Sequence, residues 1–274
     1  MISLVLCSYR PGGFDILCHS LQETLQGTDQ TIEWEFIVID DYPGRVERGV
    51  VEKRILSMGL PLTCYRKSKN KFYSNVKGGL CNAWNSALLH CRGERIVFVS
   101  DYTWLPPYWI RAWDHLHKQF DDKTLISGSA IVYETPKPTL VDDFSTWKIP
   151  PPLIPKWPWV PREWETFYVS ITRDFFDIIN GVDERADHCH CWPVTSKMAQ
   201  AKMLGYKLEV DQEIAVCHMV DHRVWDTPQE LSPLGNEGMW RITHISSAPE
   251  EPKWEVPSPN PWNLVEERKR ISGI

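Results

Sequence analysis

Three short apolar runs set the frame for this chain: ISLVLC at residues 2–7, EFIVI at 35–39 and RIVFV at 95–99. None alternates polar with apolar residues. A strand with one wet face alternates, whereas a strand covered by helices on both faces reads as one hydrophobic run. Helical spacing fills the intervals at 14–25, 50–58 and 79–89, and a short strand is expected at 62–65. Strands alternating with helices in this way predict an α/β fold, a mainly parallel, doubly wound Rossmann-like sheet flanked by helices. With 274 residues, 42% of them hydrophobic, there is enough chain for one large α/β domain.

The ends of those strands carry the chemistry. In open α/β sheets ligands gather outside the carboxyl ends of the strands. The second run ends on Asp40 and Asp41, and the third on Ser100 and Asp101. Further along, helical spacing recurs at 109–120, a strand is expected at 124–132, and helices at 174–179 and 195–204 precede strands at 207–210 and 214–216. Between Pro136 and Pro161 lie eight prolines and three tryptophans. That density forbids a long helix or a central strand, and predicts an extended segment packed through its aromatics or a loop over a site. The expected organisation is a domain over residues 1–225, with residues 226–274 as a Pro/Trp-rich arm packed on it.

Net charge is −6, so no overall positive field exists to gather nucleic acid or an anionic membrane surface. No apolar run approaches the roughly 20 residues needed to span a bilayer. Eight cysteines sit mostly within apolar or helical segments, which predicts reduced thiols and a cytoplasmic protein. The run HCHC, His188–Cys191, raises a zinc question, but structural zinc sites favour paired ligands separated by two to four residues.

In order along the chain, ISLVLCSYRP, FIVIDDYPG, GGLCNAWNSALLHCRGERIVFVSD, INGVDER and LGYKLEVDQEIAVCH resemble the motifs of the family 2 type of glycosyltransferase with the GT-A fold, over residues 1–223. The resemblance implies a nucleotide-diphospho-sugar transferase that moves a sugar to the hydroxyl of a glycan or other acceptor, with inversion. It places Ser8, Tyr9, Arg10, Asp40, Asp41, Asn82, Asn85 and Asp101 on the donor side, and Asp183 and Glu184 on the acceptor side. Asp40 or Asp41 can accept from a base N–H such as uracil presents, which favours a UDP-sugar. A divalent cation, Mn2+ or Mg2+, is implied as neutraliser of the leaving diphosphate. The family's acidic element is reduced here to Asp101 alone, since Ser100, Tyr102 and Thr103 surround it. His218, after the strand EIAVC, is the expected second metal ligand, with His222 as fallback.

The proton acceptor is the weak point of the match. The stretch where the family carries acids before its last helix reads WPVTSKM here, without an acid. Asp187 is the expected catalytic base and His190 the second choice. Two other readings compete: a non-catalytic carbohydrate-binding or scaffold protein derived from this fold, and a glycosyltransferase acting on modified nucleic-acid bases, against which the acidic balance argues.

Overall fold

The computed structural model describes residues 1–8, 17–18, 20–22, 31–40, 50–57, 59–60, 62–65, 79–100, 103–134, 154–159, 168–188, 192–211, 214–215, 217–220 and 253–273. Among these, β1 (Ile2–Ser8), β2 (Trp34–Asp40), β3 (Leu62–Tyr65) and β4 (Arg95–Val99) pair in parallel, with β1 at their centre between β2 and β4. Register carries the ends together: Ser8 lies opposite Asp40, and Leu6 opposite Val99.

The sheet continues beyond β4 through β9 (Val169–Thr172), β6 (Thr124–Ser127) and β10 (Lys207–Val210). Strand β9 runs antiparallel to both β4 and β6, so the seven-stranded sheet is mixed on that side and parallel elsewhere. The expected strand 124–132 is two strands. The chain turns at Gly128, whose amide donates to Tyr168 O at 2.6 Å, and resumes as β7 (Ala130–Glu134) in a second sheet. That sheet has the order β5 (Thr103–Trp104), β11 (Cys217–Val220), β7 and β8 (Ile154–Trp159). Strand β8 falls inside the Pro/Trp segment. Among the described residues β8 pairs on one side only, with β7, which accommodates its Pro155 and Pro158, since a proline has no N–H to donate to a second neighbour.

Helices cover both faces, as continuous apolar strands require. Among the described residues they include α1 (Val50–Ser57), α2 (Leu80–Leu88), α3 (Trp109–Gln119), α4 (Arg173–Ile179), α5 (Trp192–Met203) and α6 (Leu264–Ser272). On one face Leu4, Leu6, Phe36 and Val97 pack with Trp109, Trp113 and Leu116 of α3. On the other, Val5, Ile37, Ile96 and Phe98 pack with Trp84 and Ala87 of α2 and Phe175 and Phe176 of α4. Alternate residues of β1 thus serve opposite cores, and each core contains residues that are completely buried. Among the described residues no helix is long and apolar enough to cross a membrane.

Residues 253–273 lie against the second core. Trp254, Trp262 and the buried Leu264 pack there, and Arg268 of α6 pairs with Asp177 of α4 at 2.8 Å.

Candidate active site

Helix α2 follows β3 and leads into β4, so it runs back along the sheet and its first turn stands at the carboxyl edge of the strands. Its N-cap is Gly79, which has no side chain to satisfy the leading N–H groups. Asp187, more than 100 residues away, does that work instead: its carboxylate accepts from the amides of Cys81 at 2.6 Å and Asn82 at 3.1 Å. A carboxylate is also the favourable charge at a helix N-terminus. Glycine is required at 79 because a Cβ there would stand 2.7 Å from the Asp187 carboxyl carbon.

Asp187 belongs to a short 3-10 helix, Glu184–His188, at the end of a turn that begins where α4 stops. Asn180 and Gly181 end α4 in the left-handed region, at φ of 58° and 74°. Gly181 leaves room for Asn85 and for the Trp262 ring, which an added Cβ would meet at 2.6 and 3.2 Å. The turn after them is held by amide side chains. Asn85 donates to Val182 O at 2.8 Å and Glu184 Oε1 at 3.1 Å, and its own oxygen accepts from Val182 N at 2.8 Å. Asn82 donates to the same Glu184 oxygen at 3.0 Å. From the C-terminal arm, Asn260 donates to Asn180 O and Val182 O and accepts from Glu184 N. Ser258 donates to Gly181 O, and Gln200 of α5 donates to Ser258 Oγ.

Those contacts show where the sequence candidates stand. Asn82 and Asn85 direct their amides at the turn 182–184. Glu184 is fully buried among them. Asp183, equally buried, forms a forked pair with Arg185, at 2.7 Å for the shortest contact, and that pairing raises the Arg185 pKa. Asp187 is committed as a helix cap. Asp40 closes β2 beside Ser8, the last residue of β1, and is itself buried. Tyr9, Arg10, Asp41, Asp101, His190 and His222 lie outside the described residues, as do Cys189 and Cys191 of the HCHC run.

Backbone pairing nevertheless places His218. Strand β5 resumes two residues after Asp101 and pairs antiparallel with β11, with Trp104 opposite His218 and Thr103 opposite Met219. The strand that carries the expected histidine ligand therefore lies beside the segment that follows the expected carboxylate ligand. Among the described residues no group of three or more His, Cys, Asp or Glu side chains gathers to hold a metal. The buried Cys217 thiol donates to Ser129 O, and burial pushes its pKa up, so it is a protonated core residue and not a zinc thiolate.

Two features of this region had no sequence signal: the cap from Asp187 and the fully buried Lys197. Lys197 of α5 holds its ammonium 3.4 Å from the centroid of the Trp84 ring, and its Nζ has no hydrogen-bond partner among the described residues. Only the absence of a capping residue at 79 could have hinted at the first.

No protein-family model matches the chain, and no curated protein matches it in sequence. Solved structures match it in fold. A mannosyltransferase, PcManGT from Pyrobaculum calidifontis, in complex with GDP-Man and Mn2+, superposes with a TM-score of 0.50 at 15% identity over 79% of this chain. GalNAc-T7 with UDP, GalNAc and Mn2+ gives 0.56 at 13% identity over 80%. S. aureus TarS 1-349 gives 0.50 at 15% identity over 82%. The chain spans about half the length of these structures, covering 56%, 44% and 61% of them respectively. The fold is the GT-A fold, a mixed α/β sheet that is mostly parallel and flanked by helices.

Proposed function

We propose that the chain is a divalent-metal-dependent glycosyltransferase that moves a sugar from a nucleotide diphosphate, UDP-sugar first, to an acceptor hydroxyl with inversion. The observation that carries this reading is the pairing of β11 with β5, which sets the strand of His218 beside the chain leaving β4 and Asp101. Support comes from the GT-A fold and from the Mn2+ and nucleotide ligands of PcManGT and GalNAc-T7. Asp101 and His218 would hold Mn2+ or Mg2+. The bound cation would neutralise the departing diphosphate.

The chain's own residues supply the rest. Ser8, the last residue of β1, with Tyr9 and Arg10 after it in sequence, and Asp40, the last residue of β2, with Asp41 after it, would bind the nucleotide. The turn 182–184 shapes the acceptor side, stiffened by Asn82, Asn85 and Asn260. Because Asp187 caps α2 through both oxygens, the proton acceptor is better sought in His190, two residues beyond the 3-10 helix. The Pro/Trp segment contributes β8 to the sheet of β11, and it is suited to exclude water from that side. Among the described residues, Cys81, Cys91 and Cys217 are buried thiols outside any disulfide, which supports a reducing, cytoplasmic setting.

A second reading, a non-catalytic sugar- or nucleotide-binding protein, draws on the engagement of Asp183, Glu184 and Asp187 within the fold. One experiment separates the two. UDP-glucose, UDP-GlcNAc, UDP-GalNAc and GDP-mannose are each incubated with the protein and Mn2+, Mg2+ or EDTA, and release of nucleotide diphosphate is followed. Metal-dependent release from one donor is expected. Binding of a donor without any release supports the second reading.

A further inference from the structure

A lysine without an anion is costly in a protein interior. Lys197 is completely buried, its ammonium rests 3.4 Å from the centroid of the Trp84 ring, and Nζ makes no hydrogen bond among the described residues. The ring gives a cation–π contact, a partial return on the lost hydration. A methionine or leucine would fill the same volume without that penalty.

The position of the amine suggests what it is for. The Trp84 ring stands 4.9 Å from the ring of Phe98, centroid to centroid. Phe98 is the penultimate residue of β4, three residues before Asp101. Lys197, Trp84 and Phe98 thus form a continuous series of contacts from α5 to the carboxyl end of β4. Beside it, Cys81 in the first turn of α2 is the one described titratable group that acts on the amine. Burial raises the Cys81 pKa, with Asp187, Lys197 and Asp183 as further influences, so the thiol is neutral. Asp187 spends its charge on α2, and Asp183 on Arg185.

We propose that Lys197 is a positioning residue for the donor's diphosphate: a buried cation without a counter-ion among the described residues, whose negative partner is the incoming substrate. The inference rests on the nucleotide-sugar reading. Direct contact is not required, because a charge in a low-dielectric interior acts over several ångströms with little screening.

The protonation state gives the test its sign. Burial lowers the Lys197 pKa to about 7. An approaching anion favours the ammonium and raises that value. Near pH 7 the protein should therefore take up a proton when nucleotide diphosphate binds, and affinity should fall as pH rises through 7.

The experiment is a calorimetric titration of UDP with Mn2+, repeated with GDP, at pH 6, 7 and 8 in two buffers of different ionisation enthalpy. Wild type is compared with Lys197→Met, and Lys197→Gln serves as a second variant should the first fold poorly. At pH 7 wild type is expected to take up a measurable fraction of a proton more than the variants do. Affinity at pH 6 should fall about tenfold on substitution, the equivalent of one pKa unit of coupling. The nucleotide's own phosphate titration is common to both proteins and cancels in the comparison. A merely structural amine leaves affinity and proton uptake unchanged, and that result overturns the inference while leaving the nucleotide-sugar reading intact. If neither UDP nor GDP binds wild type, the nucleotide-sugar reading falls and this inference falls with it.

Discussion

Replacing Asn260 by alanine removes three hydrogen bonds from one place. Its amide donates to Asn180 O at 2.9 Å and Val182 O at 3.0 Å, and its oxygen accepts from Glu184 N at 3.2 Å. Val182 O keeps a donor in Asn85 at 2.8 Å. Asn180 O and Glu184 N lose this partner where the side chain was only 9% exposed. A buried polar group left unsatisfied costs about 1–3 kcal/mol, so about 2–6 kcal/mol is the upper range for losing both bonds. Water entering from the partly open side brings the expectation to the lower part, about 2–3 kcal/mol. That is a large share of a domain's usual stability of about 5–15 kcal/mol. Urea unfolding followed by tryptophan fluorescence reads it directly, with Arg270→Ala on the exposed face of α6 as a control expected to change little. Because Asn260 also fixes the backbone of Glu184, transfer to an acceptor should fall further than donor hydrolysis. A midpoint within error of wild type, with an unchanged slope, refutes the argument that the arm holds this turn.

Gly79→Ala forces a Cβ against the Asp187 carboxylate and should destabilise by about 1–3 kcal/mol, with much of that loss absent when Asp187→Ala is made in the same chain, a double-mutant cycle read by thermal melting. His117 is half-buried against Trp113 and bonded to Ser170 Oγ at 2.6 Å; desolvation first, then the Arg95 guanidinium and the N-terminal ammonium, press its pKa down to about 3. The unfolded chain binds that proton near the ordinary value of 6.5 and the folded chain does not, so stability is full above pH 6.5 and falls as pH drops from there towards 3; His117→Gln should flatten that slope in pH-dependent unfolding. Glu35 behaves differently: burial alone would raise its pKa, but Ser3 and the amide and guanidinium of Arg92 hold it below its usual value, so Glu35→Gln should lose stability at neutral pH and converge with wild type as acid protonates the carboxylate.

Much of the frame was legible because period and burial leave the same mark. Strands β1, β2 and β4 read as unbroken apolar runs since helices cover both their faces. Strand β11 was expected at 214–216 and lies at Cys217–Val220. The Asp211 carboxylate accepts from the amides of Ile214 and Ala215, at 2.6 Å for the latter, and bends the apolar residues that looked like the strand's start. Strand β9 was missed altogether. Four residues, VSIT, carry too little pattern, and their antiparallel place between β4 and β6 depends on a return of the chain from far away.

The candidate site was legible as a set of strand ends, and hidden where it depends on distant partners. Asn82 and Asn85 sit one turn apart on α2 as their spacing required, yet their amides serve Glu184 and Val182, about 100 residues along the chain. The cap that Asp187 supplies could not be read from its surroundings, and neither could the burial of Lys197, a residue type that is otherwise mostly exposed.

The central claim is that a metal-assisted transfer centre stands at the end of β4. Asp101→Ala tests it most directly, measured as Mn2+-dependent release of nucleotide diphosphate from the donor that wild type prefers, with melting temperature recorded on the same preparation. Loss of the one carboxylate in the element should lower turnover by about 100-fold or more, a change worth several kcal/mol of barrier, with the melting temperature unchanged. Turnover equal to wild type in a well-folded Asp101→Ala protein would contradict the account.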